Sequence, residues 1–374
     1  MPVTRRAGLQ ISFARSAPAI ALRRLSRMDD MARWSAADRA DLFTAVAHQR
    51  GDMSAAVVEK DFWVCWILRR LFTLTDAPAG MIFKGGTSLS KVFNAIGRFS
   101  EDVDLSFDRA DLGFGGDNDP ARAPSKKQAK QRLKMLKEAC QTVIRDRFLP
   151  RLAAAVGETL QDPAERNWKL ETDQEDPDGQ TVLFYYATGF ATRGPLGTTY
   201  IPPVVRLEMG ARSDHWPAEN ATVTPYAAEQ FPAKFQHPGS TVRVLAAERT
   251  FWEKATILHA WYHAKPDKPL KDRQSRHYYD LVKLFEAGIG PRALHRLDLL
   301  AAVATHKTVF FADAAAKYDE AKPGSLRLVP PASRHAELRE DYGKMREMIF
   351  GQPPLFEHLL AVLTEIEQRI NAPT

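Results

Sequence analysis

The sequence contains very little cysteine. Only Cys65 and Cys140 occur among its 374 residues, and each lies in a stretch with helical periodicity. Two isolated thiols cannot build the disulfide framework of a small secreted protein, nor the paired spacing of a structural zinc site. This usage is typical of a reducing compartment, and we predict a cytoplasmic location.

Long apolar runs and several catalytic signatures are also missing. No stretch approaches the ~18–20 apolar residues that cross a bilayer, so we predict no membrane partner. The sequence lacks the P-loop, in which Lys-Ser/Thr follows the last glycine, and the G-x-S-x-G elbow of serine hydrolases. His259 and His263 are four residues apart, but no glutamate stands at the spacing of a zinc protease. These absences exclude P-loop nucleotide hydrolases, α/β-hydrolases and zinc proteases.

The overall composition is that of an ordinary globular protein. Hydrophobic residues make up 44% and charged residues 26% of the chain, and the length predicts two or three domains. The net charge of +6 favours a polyanionic partner, although surface lysines that serve solubility explain it equally well.

We predict three segments along the chain. Residues 1–34 form a basic extension, in which residues 1–28 contain six arginines and no acid. This composition fits a transit peptide, a nucleic-acid arm or a start upstream of the true one, and we assign the extension no function. Residues 35–240 have mixed helix and strand patterns, and residues 241–374 are mostly helical. The predicted fold class is therefore α+β, a mixed sheet flanked by helices with a helical C-terminal half.

The first motif is residues 83–91, FKGGTSLSK. An apolar pair leads through two glycines into a helix-like run, which indicates a strand, a tight turn and a helix. Glycines let the backbone approach a ligand closely, and a helix N-terminus offers unpaired N–H groups to an anion. We predict that this turn binds nucleotide phosphates, with charge added by nearby cations. The predicted nucleotide-binding residues are Lys84, Gly85, Gly86, Thr87, Ser88, Lys91, Arg98 and Ser100.

The second motif, residues 98–105, carries Asp102 and Asp104 in a strand-like run. At a period of two, both carboxylates face one side while Val103 and Leu105 face the core. Glu208 lies in another alternating run and is a candidate third carboxylate. Carboxylates on neighbouring strands are the oxygen ligands that Mg²⁺ prefers, and nucleotidyl transfer uses two such ions. We therefore predict a Mg²⁺ site with Asp102, Asp104 and Glu208 as ligands, and a nucleoside triphosphate (NTP) as substrate.

The order of these motifs resembles the polymerase β-type nucleotidyltransferase superfamily, with its hG[GS] turn followed by Dh[DE]h. The similarity is closer to one branch, the AbiEii/AbiGii-type nucleotidyltransferase toxins. It extends over about residues 50–290 and includes residues 59–61, 206–208, 247–254 and 276–280. The resemblance implies a polymerase β-like core and a toxin paired with a cognate antitoxin. It also implies transfer of a nucleoside monophosphate to an acceptor, with the 3′ end of tRNA favoured, and a resulting block of translation and growth.

The resemblance also implies four catalytic residues, namely Asp102, Asp104, Lys254 and Asp280. The residues themselves leave alternatives open. Arg276 and Asp280 are four apart and could form an ion pair on one helix. Lys254 fits a lysine on the surface of an amphipathic helix.

A basic helix is predicted at 125–149, after a Gly/Asp/Pro-rich loop at 109–125. A solvated helix face is one explanation, and contact with RNA phosphates is the other. The candidate RNA-binding residues are Lys126, Lys127, Lys130, Lys134 and Lys137. A protein or small-molecule acceptor, or a non-catalytic protein that binds RNA or a partner, remains an alternative function.

Overall fold

The computed structural model describes residues 26–75, 77, 80–161, 167–190, 201–265, 267, 269–270 and 272–372. Its elements are a mixture of helices and strands up to residue 245 and are helical afterwards. The strands are β1 (Met81–Lys84), β2 (Val103–Phe107), β3 (Lys169–Thr172), β4 (Thr181–Tyr185), β5 (Val204–Gly210), β6 (Ala218–Val223) and β7 (Ser240–Leu245). The helices of the first part are α1 (Met28–Ala32), α2 (Ala36–Arg50), α3 (Ala55–Thr73), α4 (Gly85–Lys91), α5 (Lys126–Val143), α6 (Leu149–Leu160) and α7 (Tyr226–Gln230).

The helical part begins directly after β7. Its helices are α8 (Ala247–Tyr262), α9 (Ser275–Glu286), α10 (Ile289–Leu294), α11 (Leu297–Phe310), α12 (His335–Lys344) and α13 (Phe356–Asn371). The predicted boundary at 240 therefore falls at the start of the last strand, and the change to helices comes a few residues later. None of the described helices is both long and apolar enough to span a bilayer.

The seven strands form one mixed sheet in the order β3-β4-β5-β2-β1-β7-β6. The central strand β2 runs antiparallel to β1 and parallel to β5. The alternation of apolar and polar residues along β2 and β5 is that of strands with one buried face. The predicted α+β class, a mixed sheet flanked by helices with a helical C-terminal half, is confirmed.

Two hydrophobic cores hold the molecule together. The first joins the apolar face of the sheet to α1, α2, α3, α5 and α6. The second joins the helices from α8 to α13, and it also takes in Leu89, Ala95 and Ile96 from α4 and the segment after it. The glycine turn at the start of α4 thus lies where the two cores meet.

Part of the predicted N-terminal extension belongs to the first core. Met28, at 0% exposure, and Met31 belong to α1 and are buried in this core. Ser26 pairs with Phe235 in a β-bridge. Residues 28–32 are therefore structural, which corrects the interpretation of 1–34 as a single extension. The arginine-rich residues 1–25 lie outside the described residues.

Candidate active site

The three candidate carboxylates lie on one face of the sheet. Asp104 is directly opposite Lys84 on β1 and Glu208 on β5. Side chains at such positions have Cβ atoms about 4.5–5.5 Å apart. Asp102 comes two residues before Asp104 and therefore faces the same side. The pairing of β2 with β5 brings Asp102, Asp104 and Glu208 together, and we call these three carboxylates the acidic row.

The pKa shifts of the row reveal concentrated negative charge. Burial raises the pKa of Asp102, and the charges of Glu101 and Asp104 raise it further. Burial, followed by the charges of Asp104 and Asp102, raises the pKa of Glu208 to about 7. The positive charge of Arg276, in the helical part, opposes both shifts, so this residue lies within electrostatic range of the row. Sequence reasoning treated Arg276 only as a partner for Asp280 and missed this position.

The glycine turn lies against the acidic row. Gly85 has φ +79°, and a Cβ on it would lie 2.5 Å from Cγ of Asp104. A Cβ on Gly86 would lie 2.8 Å from Oγ of Ser100. Only glycine permits this approach, and it brings the first N–H groups of α4 beside the carboxylates. Lys84 Nζ lies 4.0 Å from Oδ1 of Asp104 and supplies a cation at the same place.

The hydroxyls of Thr87 and Ser88 have internal roles. Thr87 Oγ1 contacts the Ser100 hydroxyl at 3.0 Å and donates to the carbonyl of Asp102. Ser88 Oγ donates to the Gly85 carbonyl at 2.8 Å. Both side chains are fully buried. The prediction that these hydroxyls carry phosphates is therefore corrected, because they hold the turn against the segment that leads into β2.

Lys91 is also structural. Its ammonium lies 2.8 Å from Asp61 on α3 and is only 3% exposed. It also sits over the ring of Tyr226, 3.5 Å from the centroid. Burial lowers the pKa of Lys91, but Asp61 more than reverses this, and the ammonium stays charged. The prediction that Lys91 binds nucleotide is corrected, since its charge is used to join α4 to α3 and α7.

Arg98, Asp280 and Lys254 form a buried charge network between the two cores. Arg98 donates through Nε and Nη2 to the two oxygens of Asp280, at 2.7 and 2.8 Å. Lys254 Nζ donates to Oδ2 of Asp280 at 2.8 Å. Burial alone would raise the pKa of Asp280, but the two cations hold it well below its ordinary range. The alternative pair of Asp280 with Arg276 is not found among the described residues.

This network corrects the role predicted for Arg98. Its guanidinium donates to Asp280 and to the Phe99 carbonyl. It also packs against Gly86, since Nη2 is 3.1 Å from where a Cβ on that glycine would lie. Lys254 is not the surface lysine of the alternative interpretation, because only 6% of it is exposed. Burial lowers the pKa of Lys254 even though Asp280 lies beside it.

The charged run on α3, residues 59–61, is buried. Glu59, Lys60 and Asp61 are each 2% exposed. Lys60 pairs with Glu101, directly before Asp102, and donates to the Pro202 carbonyl at 3.2 Å. The signal was available in the sequence, because α3 carries bulky apolar residues on every side and leaves no polar face.

The predicted RNA-binding lysines lie on α5, away from the acidic row. Leu136 and Cys140 of α5 pack into the core on the apolar face of the sheet, the face opposite Asp102 and Asp104. Lys126, Lys127, Lys130 and Lys134 are exposed. Lys137 instead pairs with Asp178 at 2.5 Å.

The donor set of the acidic row suits a hard divalent cation. Within the described ranges, no group of three or more His, Cys, Asp or Glu side chains is already arranged as a metal cluster. The row nevertheless offers only carboxylate oxygens, the ligands of Mg²⁺, and the negative charge of Asp104 raises the pKa of both Asp102 and Glu208. A bound cation would relieve that repulsion.

Comparisons with known proteins identify the family of the chain. No curated protein matches the chain. A solved structure, the nucleotidyltransferase toxin MenT4 from Mycobacterium tuberculosis H37Rv, is similar over 90% of each chain, with 17% identity and a TM-score of 0.47. The family model described as nucleotidyl transferase AbiEii toxin, type IV toxin–antitoxin system, matches residues 66–362. The chain therefore belongs to the AbiEii family of nucleotidyltransferase toxins, in type IV toxin–antitoxin systems.

Proposed function

We propose that this toxin transfers a nucleoside monophosphate from an NTP to the 3′ end of an RNA, with tRNA as the favoured acceptor. Loss of usable tRNA would block translation and arrest growth until the cognate antitoxin acts. The observation that carries the proposal is the acidic row, in which Asp104 lies between Lys84 and Glu208 and directly against Gly85.

The chain's own residues provide a place for the triphosphate. Gly85 and Gly86, where α4 begins, lie directly against Asp104 and Ser100, so the first N–H groups of the helix are beside the acidic row. Lys84 adds a positive charge within 4.0 Å of Asp104. The hydroxyls of Ser100 and Thr87 are hydrogen-bonded at 3.0 Å, which holds the turn in register. Backbone donors that are already oriented cost little reorganisation when charge develops on the transferred phosphoryl group.

Asp102, Asp104 and Glu208 are the residues that would hold Mg²⁺. When bound, two such ions neutralise charge on the phosphates and favour in-line displacement by a hydroxyl. Arg276 acts electrostatically on Asp102 and Glu208, and we assign it contact with a substrate phosphate. Arg98, Lys254 and Asp280 support the turn from behind, so we assign them positioning roles rather than direct contact.

The test is incubation of the purified protein with total tRNA, Mg²⁺ and each labelled NTP in turn. We expect label in RNA with one NTP, and none with Asp104→Ala. Asp319→Ala is the matched control, because Asp319 is an exposed carboxylate on the helical part. Both variants should show the same unfolding midpoint to within a few degrees.

Other outcomes would redirect the proposal. Label found only in polypeptide would show that the acceptor is a protein side chain. Label found in a small molecule would show that the acceptor is a metabolite. Equal labelling by wild type and Asp104→Ala would remove the acidic row from the reaction. Absence of label with every NTP and acceptor, while NTP still binds, would favour a binding function.

A further inference from the structure

A cavity lies between α5 and the irregular turns that follow β2. Its volume is about 430 Å³, within the range of about 300–1,000 Å³ for ligand sites. The side chains around it are Phe114, Asn118, Gln128, Gln131, Arg132 and Met135. None of these belongs to the acidic row or to the buried charge network, so the cavity is a separate site.

The lining is suited to a flat, polar-edged ring. Gln128, Gln131, Arg132 and Met135 recur at intervals of three and four residues and therefore share one face of α5. The side-chain amides of Gln128 and Gln131 have no hydrogen-bond partner within the described ranges, and Met135 is 49% exposed. Arg132 Nη1 donates to the Asp119 carbonyl at 2.9 Å, which fixes the guanidinium. With the ring of Phe114 opposite, these groups can stack on an unpaired nucleobase and bond to its edge.

A row of lysines flanks the cavity. Lys127, Lys130 and Lys134 each precede a lining residue by one position and form the neighbouring stripe of α5. Lys127 and Lys130 have no acidic partner in the described part of the chain, and the Lys134 contact with Glu138 is a loose 3.7 Å. Among the acids of the turns after β2, Asp119 is neutralised by Arg109 at 2.9 Å. Asp111 and Asp117 have no ion-pair partner in the described part of the chain, and they are outnumbered by the cations of α5. The excess of positive charge along this edge complements a phosphate backbone.

The cavity and the row of lysines beside it together form a groove. We propose that this groove binds a single-stranded stretch of RNA, with a base in the cavity and phosphates on the lysine row. The inference rests on the proposed function in one respect, namely that the bound RNA is the acceptor. The groove is formed by α5, which packs on the face of the sheet opposite Asp104, and by the turns that follow β2. An RNA held here must therefore pass around the sheet to reach the acidic row, and the groove would select long acceptors over short ones.

The first experiment measures binding of a fluorescent 20-nucleotide single-stranded RNA to the full-length protein without NTP, by anisotropy at two salt concentrations. The groove variant is Lys127→Glu/Lys130→Glu. Its control is Lys265→Glu/Lys322→Glu, two exposed lysines of the helical part, which changes the net charge equally. We expect at least tenfold weaker binding and a smaller salt dependence for the groove variant, and less than a twofold change for the control.

A second variant separates base contact from charge. Gln131→Ala removes an amide without hydrogen-bond partners, so folding should be unaffected. We expect two- to fivefold weaker RNA binding with an unchanged salt dependence, because no phosphate contact is lost. Equal weakening by the groove and control variants, or full affinity in the groove variant, would overturn the proposal and make an acidic protein the alternative occupant.

A labelling assay distinguishes failure of this inference from failure of the proposed function. With tRNA as acceptor, the groove variant should raise KM for tRNA at least fivefold and leave kcat unchanged. If the groove variant kept the wild-type KM for tRNA, RNA binding by the groove would be refuted and the proposed reaction would stand. The opposite outcome combines two results: only the groove variant loses RNA binding, and the wild type labels no RNA. It would refute the proposed reaction and support RNA binding by the groove.

Discussion

Replacing Asp280 with asparagine should be strongly destabilising. Asp280 is completely buried and neutralises two buried cations, Arg98 and Lys254, through contacts of 2.7–2.8 Å. Asparagine preserves the volume but removes the charge, and it leaves two cations in a medium that solvates them poorly. Removal of one partner of a buried ion pair costs about 3–5 kcal/mol, and we expect a loss of ~4 kcal/mol in the free energy of unfolding.

Urea unfolding at pH 7.5, followed by tryptophan fluorescence, measures this loss. Trp252 reports on the helical core, and Trp63 and Trp66 report on the core under the sheet. Asp298→Asn is the control, because Asp298 forms an exposed, solvent-screened pair with Arg296 and should leave the free energy of unfolding nearly unchanged. The double variant Asp280→Asn/Lys254→Met should recover part of the stability, since it removes one of the uncompensated cations.

The pH dependence gives the same experiment a second readout. The pKa of Asp280 is lowered in the folded protein, so its stabilisation is present above the unfolded pKa of about 3.9. It is lost as the pH falls below that value towards the folded pKa. The difference between wild type and Asp280→Asn should therefore be constant from pH 5.5 to 8 and shrink below pH 4. A difference under ~1 kcal/mol at pH 7.5 would refute the argument that this network joins the two cores.

Two further predictions concern the acidic row. Gly85→Ala should lower nucleotidyl transfer at least ~100-fold, because its Cβ would displace Asp104, whereas Gly324→Ala has a similar φ of +87° with open space around it and should retain activity. Equal activity of the two variants would show that the clash at Gly85 is unimportant. Glu208→Gln should stabilise the metal-free protein by up to ~1 kcal/mol at pH 8.5 and leave it unchanged at pH 4. Because the pKa of Glu208 is raised to about 7 in the folded protein, ionisation of this carboxyl group lowers the free energy of unfolding as the pH rises through about 7. Solvent screening keeps this loss small, since 44% of the side chain is exposed. Unfolding midpoints at the two pH values test this, and no gain at pH 8.5 would contradict it.

Much of the active site followed from local sequence. Asp102 and Asp104 alternate with apolar residues, and a period of two places them on one face of any strand they form. The paired glycines before a helix-like run indicated the turn at Gly85 in the same way. Such features depend on neighbours within a few residues, so the sequence alone determined them.

The partners of the buried charges were decided only by the tertiary structure. Locally, Asp280 is four residues from Arg276, but it binds Arg98, which is 182 positions away, because α9 packs against the segment before β2. Lys91 looked like a phosphate ligand until α3 placed Asp61 beside it. The alignment of Glu208 with Asp104 likewise requires the parallel pairing of β2 with β5, across about 100 residues of chain. Periodicity determines which face a side chain occupies, whereas the free energy of burying a charge depends on which distant elements pack around it.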